Sequence, residues 1–208
     1  MHSPEPRAHT DNDRRAFFLE FLKHPLQIGS VIPSSRFLER RILEAAQASI
    51  ATTILELGPG TGGVTRALLN DMPSEATLLS IEINPSLYDL LRQIDDKRLI
   101  PYLGSATDLQ KILDQCNLPA PDVVVSGIPF STMSQSLGSR LVNQISQQLA
   151  SNGRFVAYQA RKRVASLCEP YMGQSRSRLE LLNIPPMRVY TWFKNGGAKA
   201  AKDPAMAV

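Results

Sequence analysis

The chain has 208 residues, 43% hydrophobic and 20% charged, a composition that suits one ordered globular domain and excludes a disordered chain. Its formal net charge of +4 is unevenly placed: residues 151–208 carry 10 Lys+Arg against 3 Asp+Glu, and residues 1–150 carry 13 against 16, so a body of −3 precedes a basic quarter of +7. Such a quarter suits an anionic partner (nucleic acid, a phosphate or a membrane surface), and no apolar run approaches the ~18 residues of a spanning helix.

Residues 1–10 are polar, with two prolines and two histidines, and are expected to be disordered. Residues 196–208 lack an apolar period and are expected to form a flexible tail, leaving a single domain over 11–195. A helix over 14–23 would carry Phe17, Phe18, Phe21 and Leu22 on one side, with Arg14, Arg15 and Lys23 available on the other, and Pro25 stops it. Such a helix suits the headgroup interface of a membrane, or a lid over a pocket. Glu20 interrupts its apolar cluster, so no secretory core is expected. A second helix over 37–47 follows Pro33-Ser34-Ser35, where a serine can cap it.

From residue 51 onward, apolar β-rich runs alternate with amphipathic stretches. Strands are expected over 53–57, 77–83, 99–103, 122–126 and 154–159, and helices over 63–70, 86–94, 106–114 and 135–149. The near-continuous apolar strands suit a parallel sheet covered on both faces, and the alternation predicts a doubly wound α/β sandwich. Segments 178–182 and 188–194 are strand-like and joined by Asn183-Ile-Pro-Pro186, too short for a crossover helix, so they are expected to pair antiparallel at the sheet edge. Cys116 and Cys168 lack metal-ligand spacing; no metal is expected, and both read as reduced core thiols of a cytosolic protein.

The strongest local signal is Glu56-Leu-Gly58-Pro59-Gly60-Thr61-Gly62, which follows a strand and opens a helix. Glycines there let the backbone turn tightly and approach a ligand. An acid ending the next strand is expected to hold ribose hydroxyls, and Glu82, followed by Ile83, stands there. A dinucleotide site needs a G-x-G-x-x-G spacing, whereas Gly58, Gly60 and Gly62 are spaced by two and Gly63 breaks that frame.

The E-L-G-P-G-T-G form resembles the first motif of class I S-adenosylmethionine-dependent methyltransferases. That resemblance implies a Rossmann-like α/β fold, a seven-stranded mostly parallel sheet with an antiparallel C-terminal strand, and N-terminal helices over 11–50 capping the cofactor pocket. It implies that Glu56 supports the methionine end of the cofactor, that Gly58, Pro59, Gly60, Thr61 and Gly62 line it, and that Glu82 and Ile83 take the ribose. Gly104, Ser105 and Ala106 follow the third strand; many methyltransferases carry an acid where Ser105 stands, and Asp108 is the alternative contact to adenine.

After the fourth strand comes Ser126-Gly127-Ile128-Pro129-Phe130. Ribosomal RNA adenine dimethylases carry N-[LIP]-P-[YF] here, with the Asn amide on the target amine and the aromatic ring stacked on the base. Ile128, Pro129 and Phe130 match, but Gly127 has no side-chain amide. The segment looks instead like the S-G-[LI]-P of bacterial phospholipid N-methyltransferases. This chain also resembles that family in its lead-in Lys23-His-Pro-Leu-Gln27-Ile-Gly29-Ser30-Val-Ile-Pro33-Ser34-Ser35, and in Asn183-Ile-Pro-Pro186 followed by an aromatic strand.

The family implies stepwise N-methylation of phosphatidylethanolamine towards phosphatidylcholine at the inner face of the cell membrane, through a membrane-binding N-terminal helix. Gly29, Ser30, Ser126 and Gly127 then join the cofactor contacts, and Ile128, Pro129 and Phe130 the acceptor contacts. Such an amine must lose a proton before it attacks. Tyr158, ending the fifth strand, is the first candidate to orient it, with Tyr102, Asp108 and His24 behind it. Arg161 and Arg163, flanking Lys162, are candidates for a lipid phosphodiester, assisted by Arg176 and Arg178. A nucleic-acid acceptor is the alternative, weakened by Gly127 and by the absence, within this chain, of the further helical domain that the rRNA enzymes carry.

Overall fold

The structure is a computed structural model, and it describes residues 34–194. The expectations for residues 1–10, the helix over 14–23, the membrane residues Phe17, Phe18, Phe21 and Leu22, the cofactor contacts Gly29 and Ser30, and the tail over 196–208 lie outside the described residues.

Apolar runs set the middle of the sheet. β1 (Thr53–Leu57), β2 (Thr77–Glu82), β3 (Leu99–Leu103), β4 (Val123–Ser126) and β5 (Arg154–Gln159) pair in parallel, in the order β3-β2-β1-β4-β5. β1 and β4 are buried along their whole length, as strands covered on both faces must be. The chain then forms the hairpin β6 (Arg176–Glu180) and β7 (Met187–Phe193). β7 docks antiparallel on β5, and β6 pairs antiparallel with β7 at the edge, completing seven strands.

The helices α1 (Arg36–Ala46), α2 (Gly63–Asp71), α3 (Pro85–Leu91), α4 (Leu109–Gln115), α5 (Gln135–Gln148) and α6 (Arg163–Met172) make the outer layers. Alternation along each strand divides the core. Ile54, Leu78, Val125 and Val156 meet Leu38 and Ile42 of α1 and Val64 and Leu68 of α2. Leu55, Leu79, Val124 and Phe155 meet α4, α5 and α6 on the other face, where Leu141 and Ile145 form the predicted stripe. Trp192 stacks on Phe155 and Tyr190, at centroid distances of 5.3 and 5.7 Å. Cys116 and Cys168 are free thiols, and Cys168 is buried in this face of the core.

Ser35 caps α1, its hydroxyl accepting from Leu38 N at 3.2 Å. The segment expected as one helix over 106–114 splits into a short 3-10 turn, Ala106–Asp108, capped by Ser105 accepting from Thr107 N, and α4, because the backbone at Asp108 (φ −105°, ψ 21°) leaves the helical region between them. The hairpin strands sit slightly earlier than expected. Glu180 Oε1 accepts from Leu182 N at 2.9 Å, and this local bond draws the chain off the ladder at Leu181. Among the described residues, no helix is long and apolar enough to cross a membrane.

Candidate active site

β1 and β4 are neighbours whose following strands lie on opposite sides, so the loops leaving their carboxyl ends meet at a topological switch point. The ladder runs on into these loops: Gly58 N donates to Ile81 O at 3.0 Å, Gly127 N to Leu57 O at 2.9 Å, and Gly104 N to Glu82 O at 2.8 Å. Gly58, Gly60 and Gly62 have φ of 70°, 60° and 81°. An L side chain in that region costs roughly 1–2 kcal/mol, so the backbone itself demands the alternate glycines. At Gly58 a Cβ would also stand 3.1 Å from Ile128 Cγ1, which measures how closely the two loops pack.

Two carboxylates frame the glycine loop. Strand alternation turns Glu56 towards α2, where its Oε2 accepts from Thr65 Oγ1 at 2.7 Å and from Ser80 Oγ at 2.6 Å. The side chain is fully buried, and Oε1 has no partner. Burial pushes its pKa up to about 7, against the pull of the two hydroxyls, and Glu82 adds to the rise. A buried acceptor left open fits a ligand that brings a cationic amine, as the methionine end of S-adenosylmethionine does. Glu82 ends β2; its Oε2 accepts from Gly60 N at 3.2 Å, and its Oε1 from Ile83 N and Asn84 N, both at 2.9 Å. Its pKa is raised by burial, partly offset by these three bonds. Glu82 therefore ties the glycine loop to the end of β2. Pro59 and Gly60 are buried, Thr61 is exposed, and Ala106 is buried beside Ser105. The Ser105 hydroxyl lies 2.8 Å from Thr107 Oγ1.

The acceptor side holds a feature that residue types alone do not foretell. A Cβ built on Gly127 would stand 2.3 Å from Tyr158 Oη, 2.8 Å from Tyr158 Cζ and 2.9 Å from Gly58 O. The Tyr158 hydroxyl thus occupies the space into which a side chain at position 127 would grow. Burial, then the charges of Glu56, Glu82 and Glu39 in that order, push the Tyr158 phenol well above its ordinary pKa. It is therefore a protonated phenol at neutral pH, suited to orient a group and not to act as a tyrosinate base. Glu39 of α1 is not among the expected site residues. Its Oε1 lies 3.2 Å from where a Cβ on Gly63 would stand, so α1 reaches the first turn of α2, directly after the glycine loop. Gln159 is another that the motifs do not mark: its Nε2 donates to Ile128 O at 2.8 Å and fastens the loop after β4 to β5. Ser126 Oγ accepts from Ile128 N in the same loop.

Phe130 is a correction. The motif places it against the acceptor, but it is fully buried and meets Phe155 edge-on at 6.3 Å, because the 3-10 turn Phe130–Thr132 carries it down into the core. Ile128 is buried too, in the same core cluster, and Pro129 remains half-buried at the loop. Arg161 and Arg163 are exposed at the carboxyl end of β5, on the edge where the loops meet. Arg176 and Arg178 line a different cleft, with Arg41 and Arg154, between α1 and the outer strands. They are a second correction, since β6 turns them towards α1. Tyr102 donates to Gln115 Oε1 at 2.6 Å and belongs to the α4 side.

No family model matches the chain. It is 32% identical over 144 residues to the ornithine lipid N-methyltransferase of Singulisphaera acidiphila, a match covering 67% of this chain and 75% of that protein. It is 37% identical over 95 residues to ribosomal RNA small subunit methyltransferase A of Trichormus variabilis, covering 43% of this chain and 34% of the relative. TrmN from Thermus thermophilus shares the fold, with a TM-score of 0.65 at 17% identity, covering 87% of this chain and 53% of that one. The positive-φ glycine loop and the buried, unpartnered Glu56 Oε1 thus stand in a fold and beside a relative of one kind: the chain belongs to the class I S-adenosylmethionine-dependent methyltransferases, in the family of the Singulisphaera enzyme, with S-adenosylmethionine as its cofactor.

Proposed function

We propose that the chain methylates the amine of a membrane lipid, with phosphatidylethanolamine and its mono- and dimethyl derivatives, towards phosphatidylcholine, as the acceptor series. The observation that carries this reading is the pairing of Gly127 with Tyr158. The base-reading amide of an adenine dimethylase has no room at position 127, where the Tyr158 hydroxyl already lies. A small, flexible amine needs only a hydrogen-bond partner and a low-water pocket. The name of the Singulisphaera relative supports a lipid amine as the acceptor class.

S-adenosylmethionine, when bound, supplies the electrophilic methyl group; Glu56, the glycine loop and Glu82 hold it. The protein's own part is positioning and charge. The acceptor arrives as an ammonium ion, and Glu56, Glu82 and Glu39, whose charges all bear on Tyr158, favour a cation there. Desolvation favours the neutral amine, and one proton passes from the ammonium to solvent water at the mouth of the pocket, which frees the nitrogen lone pair. The Tyr158 oxygen then orients the amine, and its ring can face the cation that grows with each methyl. Arg161 and Arg163, at the same edge, suit a phosphodiester. The enzyme would act from the cytoplasm, as a peripheral protein on the inner face of the membrane.

The ribosomal RNA relatives favour a second reading, adenine methylation. Expression in a host lacking phosphatidylcholine separates the readings. Thin-layer profiles should gain mono-, di- and trimethylated phosphatidylethanolamine. A methylated ornithine lipid would move the acceptor within the lipid class, and an unchanged lipid profile with new N6-methyladenine would establish the RNA reading. An ornithine lipid carries no phosphodiester, so loss of turnover in Arg161→Ala/Arg163→Ala would also speak for the phospholipid.

A further inference from the structure

The connection between β6 and β7 is not used by the site described above, yet it is the most apolar exposed segment of the described residues. Leu181, Leu182 and Ile184 are 67%, 61% and 79% exposed, and Leu179 on β6 is 44% exposed. Pro185 and Pro186 continue the exposed surface. Single exposed leucines are ordinary; a contiguous cluster marks a contact surface.

The cluster is held in shape. Asn183, between Leu182 and Ile184, is buried; its Oδ1 accepts from Ser35 N at 2.9 Å and its Nδ2 donates to Pro185 O at 2.8 Å. Glu180 accepts from Leu182 N and also takes Arg41 Nε at 2.8 Å. The polar residues of the tip thus turn inward, and the aliphatic ones are left outside.

Its place is equally specific. Gln159, the last residue of β5, pairs with Arg188 near the start of β7, so the hairpin tip projects from the carboxyl edge of the sheet. Arg161, Lys162 and Arg163 leave β5 at that same edge and are exposed. Arg188 faces the side of Ser177, to whose hydroxyl its Nη1 donates at 3.4 Å. An apolar tip flanked by basic side chains matches a bilayer with anionic headgroups: aliphatic groups enter the acyl boundary while the cations meet phosphates.

We propose that the β6–β7 tip, through Leu181, Leu182 and Ile184, is a bilayer-insertion wedge that sets the acceptor edge of the sheet against the membrane surface. This rests on the lipid-acceptor reading and adds a contact to it.

The test compares the parent chain with Leu181→Ser/Leu182→Ser/Ile184→Ser in binding to vesicles of phosphatidylethanolamine and phosphatidylglycerol. All three positions are exposed, so thermal unfolding and cofactor affinity should match the parent. Vesicle affinity should fall roughly tenfold or more, given the apolar area removed. In Leu182→Trp, the new fluorophore should shift to the blue on adding vesicles and be quenched by brominated acyl chains. Equal vesicle binding by the triple variant, or an unshifted tryptophan, would overturn the wedge. So would a parent dimer that the triple variant dissolves without loss of vesicle binding, since the tip would then meet a second copy. A water-soluble short-chain phosphatidylethanolamine distinguishes the two claims. The triple variant should methylate it at the parent rate. If the parent labels no lipid while vesicle binding still depends on the tip, the acceptor reading fails and the wedge stands.

Discussion

Glu56→Gln is expected to stabilise the cofactor-free protein at neutral pH while crippling cofactor binding. Burial raises Glu56 from 4.5 to about 7 in the fold. A raised carboxylate contributes its full stability below the unfolded pKa and loses it as pH climbs through the folded one. The difference of about 2.5 units, at 1.36 kcal/mol each, comes to about 3 kcal/mol. Glutamine keeps an oxygen for Thr65 and Ser80 and mimics the protonated acid. Urea unfolding should therefore give equal stability for parent and variant near about pH 4, and a variant more stable by about 3 kcal/mol near about pH 8. Taking the difference between the two proteins removes the opposing pH dependence of groups such as Asp122, whose carboxyl is raised by burial but held below its ordinary range by the stronger sum of bonds from Thr52 and Thr53. S-adenosylmethionine affinity, read by calorimetry, should fall about 10–100-fold in the variant, the worth of a hydrogen bond to a charged group. Stability differences that do not change with pH, or an unchanged cofactor affinity, would refute the reasoning.

Gly127→Asn places its Cβ against Tyr158 Oη and Gly58 O; thermal unfolding should report a loss of about 1–3 kcal/mol, the usual cost of overpacking, and Gly127→Asn/Tyr158→Ala should recover part of it. Tyr158→Phe removes only the hydroxyl, so kcat should fall about tenfold or more with cofactor affinity unchanged, by analogy with the loss of other orienting groups. Gln159→Leu strips the partner from Ile128 O; stability should drop by about 1–3 kcal/mol, the cost of a buried unsatisfied carbonyl, and single-turnover rates should drop with it.

The sheet is legible in the sequence because its strands are near-continuous apolar runs, and Thr53–Leu57, Leu99–Leu103 and Arg154–Gln159 form as expected. The glycine loop is legible for a related reason: positive φ at Gly58, Gly60 and Gly62 leaves the backbone little other choice of residue. Packing between distant segments is not. Position 127 and position 158 show nothing of each other in one dimension, so the absence of an amide at Gly127 can be read, but not the hydroxyl that fills its space. Phe130 misleads for the same reason, since a matched motif fixes a residue's type and not whether its ring points to the pocket or the core. Leu181 and Leu182 continue a strand-like run, and only the bond from Leu182 N to Glu180 shows why they leave the ladder.

The acceptor can be tested directly by incubating the folded, cofactor-bound protein with methyl-labelled S-adenosylmethionine, phosphatidylethanolamine vesicles and ribosomal RNA together, then extracting both pools. The account predicts label in mono-, di- and trimethylated phosphatidylethanolamine and none in RNA. Label in adenine, or no label in any lipid, would contradict it.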